Sequence, residues 1–437
     1  MGISVLLAAA LVWAGVQQRQ NLAYQRQIQG MYTRSFYELV GNMQNMEVTL
    51  SKLLVANSVG NNVELMAAIT QQANCVADSL SSLPLSHAAL HDTMRFVNQV
   101  GDLARVLSRQ VGEAVPLSTE DREQFQTLHN LCVELERRLQ QIQAEGGLQI
   151  DLRELHNTYY AADNQDIWAS DISESETNGV EYPTLIYDGP FSDSFQDRQP
   201  KGLGENEVDK LQACQAAASF FGWHDATGCI ADGTFEGVVP GYQVNVTAPD
   251  GEPLHIMVSR HGGKVIWMMA DQAIMVEQPT LSLEECLARA KEQLAVAGFS
   301  SLAPTWTQEY SGLLVVNYAY EEDGRVFYPD LVKVKIRMDT GMMVAFDATG
   351  YYMNHVMRPL EEPTVTKEQA RHMISPQVSV TREQLAVIPT DGGGEKLCWE
   401  FMGSFGDELF IVYIDAQTGA EVKIFKVIDT GTGLEAI

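Results

Sequence analysis

The chain has 437 residues, 57 of them acidic and 29 basic, for a formal charge of −28. So acidic a surface repels phosphates and argues against nucleic acid or anionic lipid headgroups as partners; it suits a basic protein surface, a cation or plain solubility. Hydrophobic residues at 45% and charged ones at 20% are ordinary for folded proteins, so a core can form in each of roughly two to four domains.

Ile3 to Val16 is an uninterrupted apolar run followed by Arg19 and Arg26. As a helix it would span about 21 Å, short of the roughly 30 Å hydrocarbon core. A retained membrane anchor is favoured over a cleaved signal segment, because the run leads straight into a helix-compatible stretch without a polar cleavage zone. Residues 1–18 are assigned to this segment, with the body of the chain outside the cytoplasm.

Residues 19–147 predict an all-α domain. Phe36, Leu39, Val40, Met43 and Met46 recur at helical spacing and share one face. Breaks near Asn57, Pro84, Gly112 to Pro116 and Gly146 divide it into helices over 20–56, 61–82, 86–111 and 119–144, the last opened by a Ser118/Asp121 cap. His87 and His91, followed by Asp92, share a helix face, but without a third ligand they read as packing or surface residues.

Residues 148–203 form an acidic linker too polar to bury much surface. Gly202-Leu203-Gly204 is read as part of it. Within it, Tyr182, Pro183, Tyr187, Asp188, Gly189, Pro190 and Phe191 make an aromatic, proline-bounded segment. Such a segment suits docking in extended form on a neighbouring domain or a partner, or simple local packing.

The C-terminal half repeats. Gly263, Gly341 and Gly419 stand 78 residues apart, each preceded by Gly or Thr (Gly262, Thr340, Thr418) and flanked by strand-like runs, as a hairpin turn needing positive φ requires. Val332, Val334, Ile336 and Met338 alternate with Lys333, Lys335 and Arg337, one face apolar and one solvated. Helices are expected near 206–222, 282–298 and 366–374, with capping boxes at Ser282/Glu285 and Thr366/Gln369. The fold class is therefore multi-domain: a helical region, then three α+β modules over 204–276, 277–360 and 361–437. In each, a helix covers one face of a small antiparallel sheet whose edges stay available.

Six cysteines are scattered singly, without CxxC or zinc spacing. Cys214 and Cys229 fall in one module and could pair, but buried free thiols are the favoured reading. No GxSxG, HExxH, Walker A or dinucleotide-binding glycine motif occurs. No catalytic residue, metal site or cofactor is expected. Glu321-Glu322-Asp323 beside Gly324 reads as a solvated hairpin tip, and a spatially assembled acid pair stays open as an enzyme reading.

Met31 to Leu39, the Leu83-Pro84 break, Phe96 to Asp102, Leu117-Ser118, Tyr182 to Asp193 and the Gly-Gly or Thr-Gly turns together resemble the YpeB family of spore germination proteins, whose C-terminal repeats are PepSY modules. The resemblance covers nearly the whole chain. It implies a non-enzymatic protein of the spore inner (forespore) membrane, anchored once at its N-terminus and partnered with the cortex-lytic enzyme SleB, which it stabilises and restrains until the cortex peptidoglycan is hydrolysed at germination. The rivals are an envelope hydrolase and an extracytoplasmic sensor.

Overall fold

The computed structural model describes residues 2–83, 87–113, 115–144, 199–223, 228–247, 253–270, 276, 278–359, 362–390, 394–429 and 434–437. The chain divides into two compact units, Met1–Pro183 and Thr184–Ile437.

The first unit is helical: α1 (Gly2–Val55), α2 (Val59–Ser81), α3 (His87–Gly112) and α4 (Thr119–Ala144). The starts follow from local chemistry. Ser58 accepts the Asn61 N–H at 3.1 Å to cap α2, and Ser118 and Asp121 exchange hydrogen bonds at the head of α4. α2 packs on α1 and α3, and α4 on α1. The predicted face of α1 is the core face: Phe36, Leu39, Val40, Met43 and Met46 are all buried, each contributing about 1.5–3 kcal/mol of burial. A buried polar pair crosses this core, where His129 Nε2 on α4 meets Glu47 Oε1 on α1 at 2.7 Å. Toward the N-terminus α1 exposes Trp13, Leu22, Tyr24 and Met31. Among the described residues no helix is long and apolar enough to cross a membrane. The side chains of His87, His91 and Asp92 lie outside the described residues.

The second unit carries α5 (Lys210–Phe220), α6 (Leu283–Val296), α7 (Thr349–Asn354) and α8 (Lys367–Met373). Its strands are β1 (Ile230–Phe235), β2 (Gly241–Thr247), β3 (Pro253–Ser259), β4 (Val265–Ala270), β5 (Leu302–Tyr310), β6 (Leu313–Glu322) and β7 (Arg325–Arg337). They continue with β8 (Met343–Asp347), β9 (Ser379–Pro389), β10 (Glu395–Phe405), β11 (Glu408–Asp415), β12 (Glu421–Asp429) and β13 (Leu434–Ala436). Both expected capping boxes form, at Ser282/Glu285 and Thr366/Gln369, and a third opens α5 at Asp209/Gln212. The predicted alternation in β7 holds: Val332, Val334, Ile336 and Met338 are buried while Lys335 is exposed. The tip at Asp323-Gly324 is a two-residue turn with φ of 49° and 71°, the mirror-image geometry that matches strand twist.

The sheets are not separate, which corrects the expectation of available module edges. All described strands join one sheet in the order β1-β2-β3-β4-β8-β7-β9-β10-β11-β12-β13, with β6 and then β5 added on β7. β4 pairs antiparallel with β8 from Trp267↔Asp347 to Met269↔Ala345, and β7 pairs parallel with β9 from Arg325↔Leu385 to Phe327↔Val387. The reason is the need of an edge's N–H and C=O groups for partners, met here within the chain. β13 comes back beside β5, and Trp306 on β5 packs with Ala436, Val427 and Tyr413 in one cluster. Gly202-Leu203-Gly204, read as linker, is docked: the Gly202 N–H donates to Tyr352 O at 2.8 Å, and Leu203 packs on the core.

Cys214 and Cys229 form a disulfide, replacing the favoured reading of two free thiols. Packing α5 across β1 to β3 brings them within bridging range. Cys75, Cys132, Cys286 and Cys398 are unbridged.

Candidate functional site

The three repeated turns have the backbone their glycines were read to need. Gly262, Gly263, Gly341 and Gly419 have φ of 76°, 58°, 71° and 75°, a region costly for any residue with a Cβ. What the sequence did not reveal is that each turn is already occupied. The residue just before the helix cap lies across it: the N–H groups of Val208, Leu281 and Val365 donate to Arg260 O, Met338 O and Ala416 O at 2.9, 2.8 and 2.9 Å. Each accepting carbonyl sits three residues before the repeated glycine. The side chains of the same three residues cover that glycine, at 3.1 Å (Val208), 3.2 Å (Leu281) and 3.7 Å (Val365) from the position of a Cβ. Thr340 and Thr418 work within their turns, where their hydroxyls accept the Met342 and Ala420 N–H groups at 3.4 and 3.3 Å. Helix start and hairpin are thus one folded unit. Tyr182, Pro183, Tyr187, Asp188, Gly189, Pro190 and Phe191 lie outside the described residues.

Polar chemistry concentrates where β7 changes partner. Ala319 faces Leu331 while Tyr320 faces Phe327, so Tyr328, Pro329 and Asp330 bulge out of the ladder. Pro329 has no N–H to lose there. Asp330 is fully buried. It accepts two bonds from Arg358 (Nη1–Oδ2 2.8 Å, Nη2–Oδ1 2.7 Å), and His355 Nδ1 lies 2.7 Å from its Oδ2. Arg358 also grips Glu395 at the start of β10 through Nε and Nη2, at 2.7 and 2.8 Å. Burial alone would weaken the guanidinium's hold on its proton, but its bonds to Glu395 and Asp330 outweigh that and raise its pKa. Tyr351 stacks on His355 at 4.3 Å. The bulge, the segment after α7 and β10 are therefore fastened through one arginine.

Tyr328 points from the bulge to a second buried acid. Its hydroxyl donates to Glu400 Oε2 at 2.6 Å, while Gln384 and Arg382 donate to Oε1 at 2.9 and 3.2 Å. Tyr413 is buried in the same cluster. Burial first, and then the Glu400 charge, push both phenols well above their ordinary value. A raised acid pKa in the folded state means that stability is fully present below the unfolded phenol's pKa of about 10 and is lost as pH rises beyond it. The urea midpoint of the C-terminal unit is therefore expected to hold to about pH 9 and fall steeply above 10, with a shallower alkaline slope in Tyr328→Phe; equal slopes would refute the assignment.

An acid pair is thus assembled, Asp330 with Glu395, but both carboxylates are bound to Arg358. Sequence reasoning missed this group because its members are dispersed. The available signal was Pro329-Asp330 inside an otherwise apolar strand run, where neither residue belongs in a regular ladder.

Three family models match the chain: "YpeB N-terminal" over residues 20–149, "YpeB sporulation, PepSY1 and PepSY2 domains" over 169–361, and "Peptidase propeptide and YPEB domain" over 364–425. Among curated relatives, the sporulation protein YpeB of Halalkalibacterium halodurans is 26% identical over 433 residues, and that of Bacillus subtilis 21% over 443. Each alignment covers 97% of this chain and 96% of the relative. The solved Bacillus megaterium YpeB C-terminal domain is 26% identical, with a TM-score of 0.45, covering 51% of this chain and 100% of that one. The N-terminal and PepSY1–PepSY2 models together account for most of the sequence, in the order helical region then β-rich PepSY-type domain, and the chain belongs to the YpeB sporulation protein family.

Proposed function

We propose that this is a non-catalytic germination protein that binds a cortex-lytic hydrolase of the SleB type, stabilises it in the spore and restrains it until germination. The observation that carries the reading is the junction at β7. The acids that the fold gathers there, Asp330, Glu395 and Glu400, are taken up by Arg358, His355, Arg382, Gln384 and Tyr328. Such groups hold strands in place rather than attack a substrate. Family membership supports the setting, since the curated relatives are named sporulation proteins.

Binding alone suffices for restraint, because an occluded active-site groove is inactive. The sheet ends at β1, β5 and β13; β13 lies back beside β5, so strand addition is proposed at β1, which has β2 on one side and exposes Ile230 and Phe235. The aromatic segment from Tyr182 to Phe191 is proposed as a second contact on sequence grounds, and the apolar run at Ile3 to Val16 as the anchor at the spore inner membrane.

In spores lacking this chain the hydrolase is expected to be depleted and the cortex to persist after germination is triggered. Immunoblotting the hydrolase in mature spores checks this, and normal hydrolase with normal cortex breakdown would overturn it.

A further inference from the structure

The open end of the sheet carries a covalent feature that neither the family nor the proposed role explains. Cys214 lies on the buried face of α5 among Ala213, Ala217 and Phe220, and Cys229 is the residue immediately before β1. Their Cα atoms are 5.8 Å apart and the sulfurs are bonded, within the range a bridge requires. β1 needs such a tie. It has one hydrogen-bonded neighbour, β2, and its register breaks between Ala231 and Gly233.

We propose that Cys214 and Cys229 are an oxidative modification site, a clamp that fastens edge strand β1 to α5, closed by a disulfide-bearing thiol oxidant in an oxidising compartment. One protein thiolate attacks a sulfur of the oxidant's disulfide, forming a mixed disulfide and releasing one oxidant thiol. The second protein thiolate then attacks the protein sulfur of that intermediate, forming the Cys214–Cys229 bond and releasing the second oxidant thiol. Two protein thiols are oxidised and one disulfide is reduced, with the two protons ending on the oxidant's sulfurs. The pairing is selective because Cys229 is partly exposed and stands beside Cys214, while the other thiols of this unit are sequestered. Cys286 and Cys398 are fully buried, and burial raises both thiol pKa values, that of Cys398 to about 12, so neither supplies the thiolate that exchange needs. The clamp does not depend on the identity of any partner.

The test uses the full-length chain from its native host, with free thiols trapped by iodoacetamide at lysis and during denaturation. Four alkylated cysteines and a linked Cys214–Cys229 peptide pair are expected; six alkylated cysteines would overturn the proposal. On the native protein, reduction is expected to speed amide exchange of residues 230–235 by roughly tenfold or more while β10 and β11 stay protected. Cys214→Ser/Cys229→Ser is expected to match the reduced wild type. Unchanged exchange in 230–235, or equal loss of protection in β10 and β11, would remove the clamp.

Discussion

Replacing Asp330 with alanine is expected to destabilise the C-terminal unit by about 3–5 kcal/mol, the cost of leaving a buried charge without its partner. Arg358 is 11% exposed at its side chain and makes two of its bonds to Asp330. Glu395 remains to receive it, which places the loss toward the lower end of that range. Arg358→Ala is expected to cost as much, since it strands a fully buried carboxylate beside His355. The double variant should cost clearly less than the two losses added, because the groups act as a unit. Urea unfolding followed by the fluorescence of Trp306 and Trp399 reads all three, and strict additivity would show that the bulge is not held in this way.

Gly262→Ala is the second large effect. Its φ of 76° costs an L-residue about 1–2 kcal/mol. The added Cβ would also stand 2.6 Å from Gly204 N, a backbone atom with little room to retreat. A loss of about 2–4 kcal/mol is expected. Gly419→Ala is the matched control. Its φ is 75°, yet the nearest atoms to its Cβ are Val365 Cγ2 and Met373 Cε at 3.7 and 3.8 Å, so only the backbone strain of about 1–2 kcal/mol applies. Thermal unfolding of the two variants side by side checks the ranking. Equal losses would mean that the segment at Gly204 to Val208 does not press on the first turn.

The helices were legible because their signals are local. Phe36 to Met46 keep the helical period, and Ser282/Glu285 and Thr366/Gln369 carry their caps in plain sequence. The glycine turns were legible for the same reason, as a fixed interval with a conformational demand at each step. The continuity of the sheet was not. β4 finds β8 and β7 finds β9 across long stretches of chain, and no local pattern encodes which edges meet. The clamp on Arg358 was hidden for the same reason, since Asp330 and Glu395 lie 28 and 37 residues from it in opposite directions. The bond between Cys214 and Cys229 turned on how α5 lies over β1, and spacing alone left both outcomes open.

Under the function proposed above, this chain would act on the cortex by holding another protein rather than by chemistry of its own. Purified full-length chain and a SleB-type hydrolase, incubated separately and together with cortex fragments, test it through the muropeptides released. No release by the chain alone is expected, and less release by the hydrolase when the chain is present. Muropeptides released by the chain alone, and lost on substituting one of its carboxylates, would contradict it.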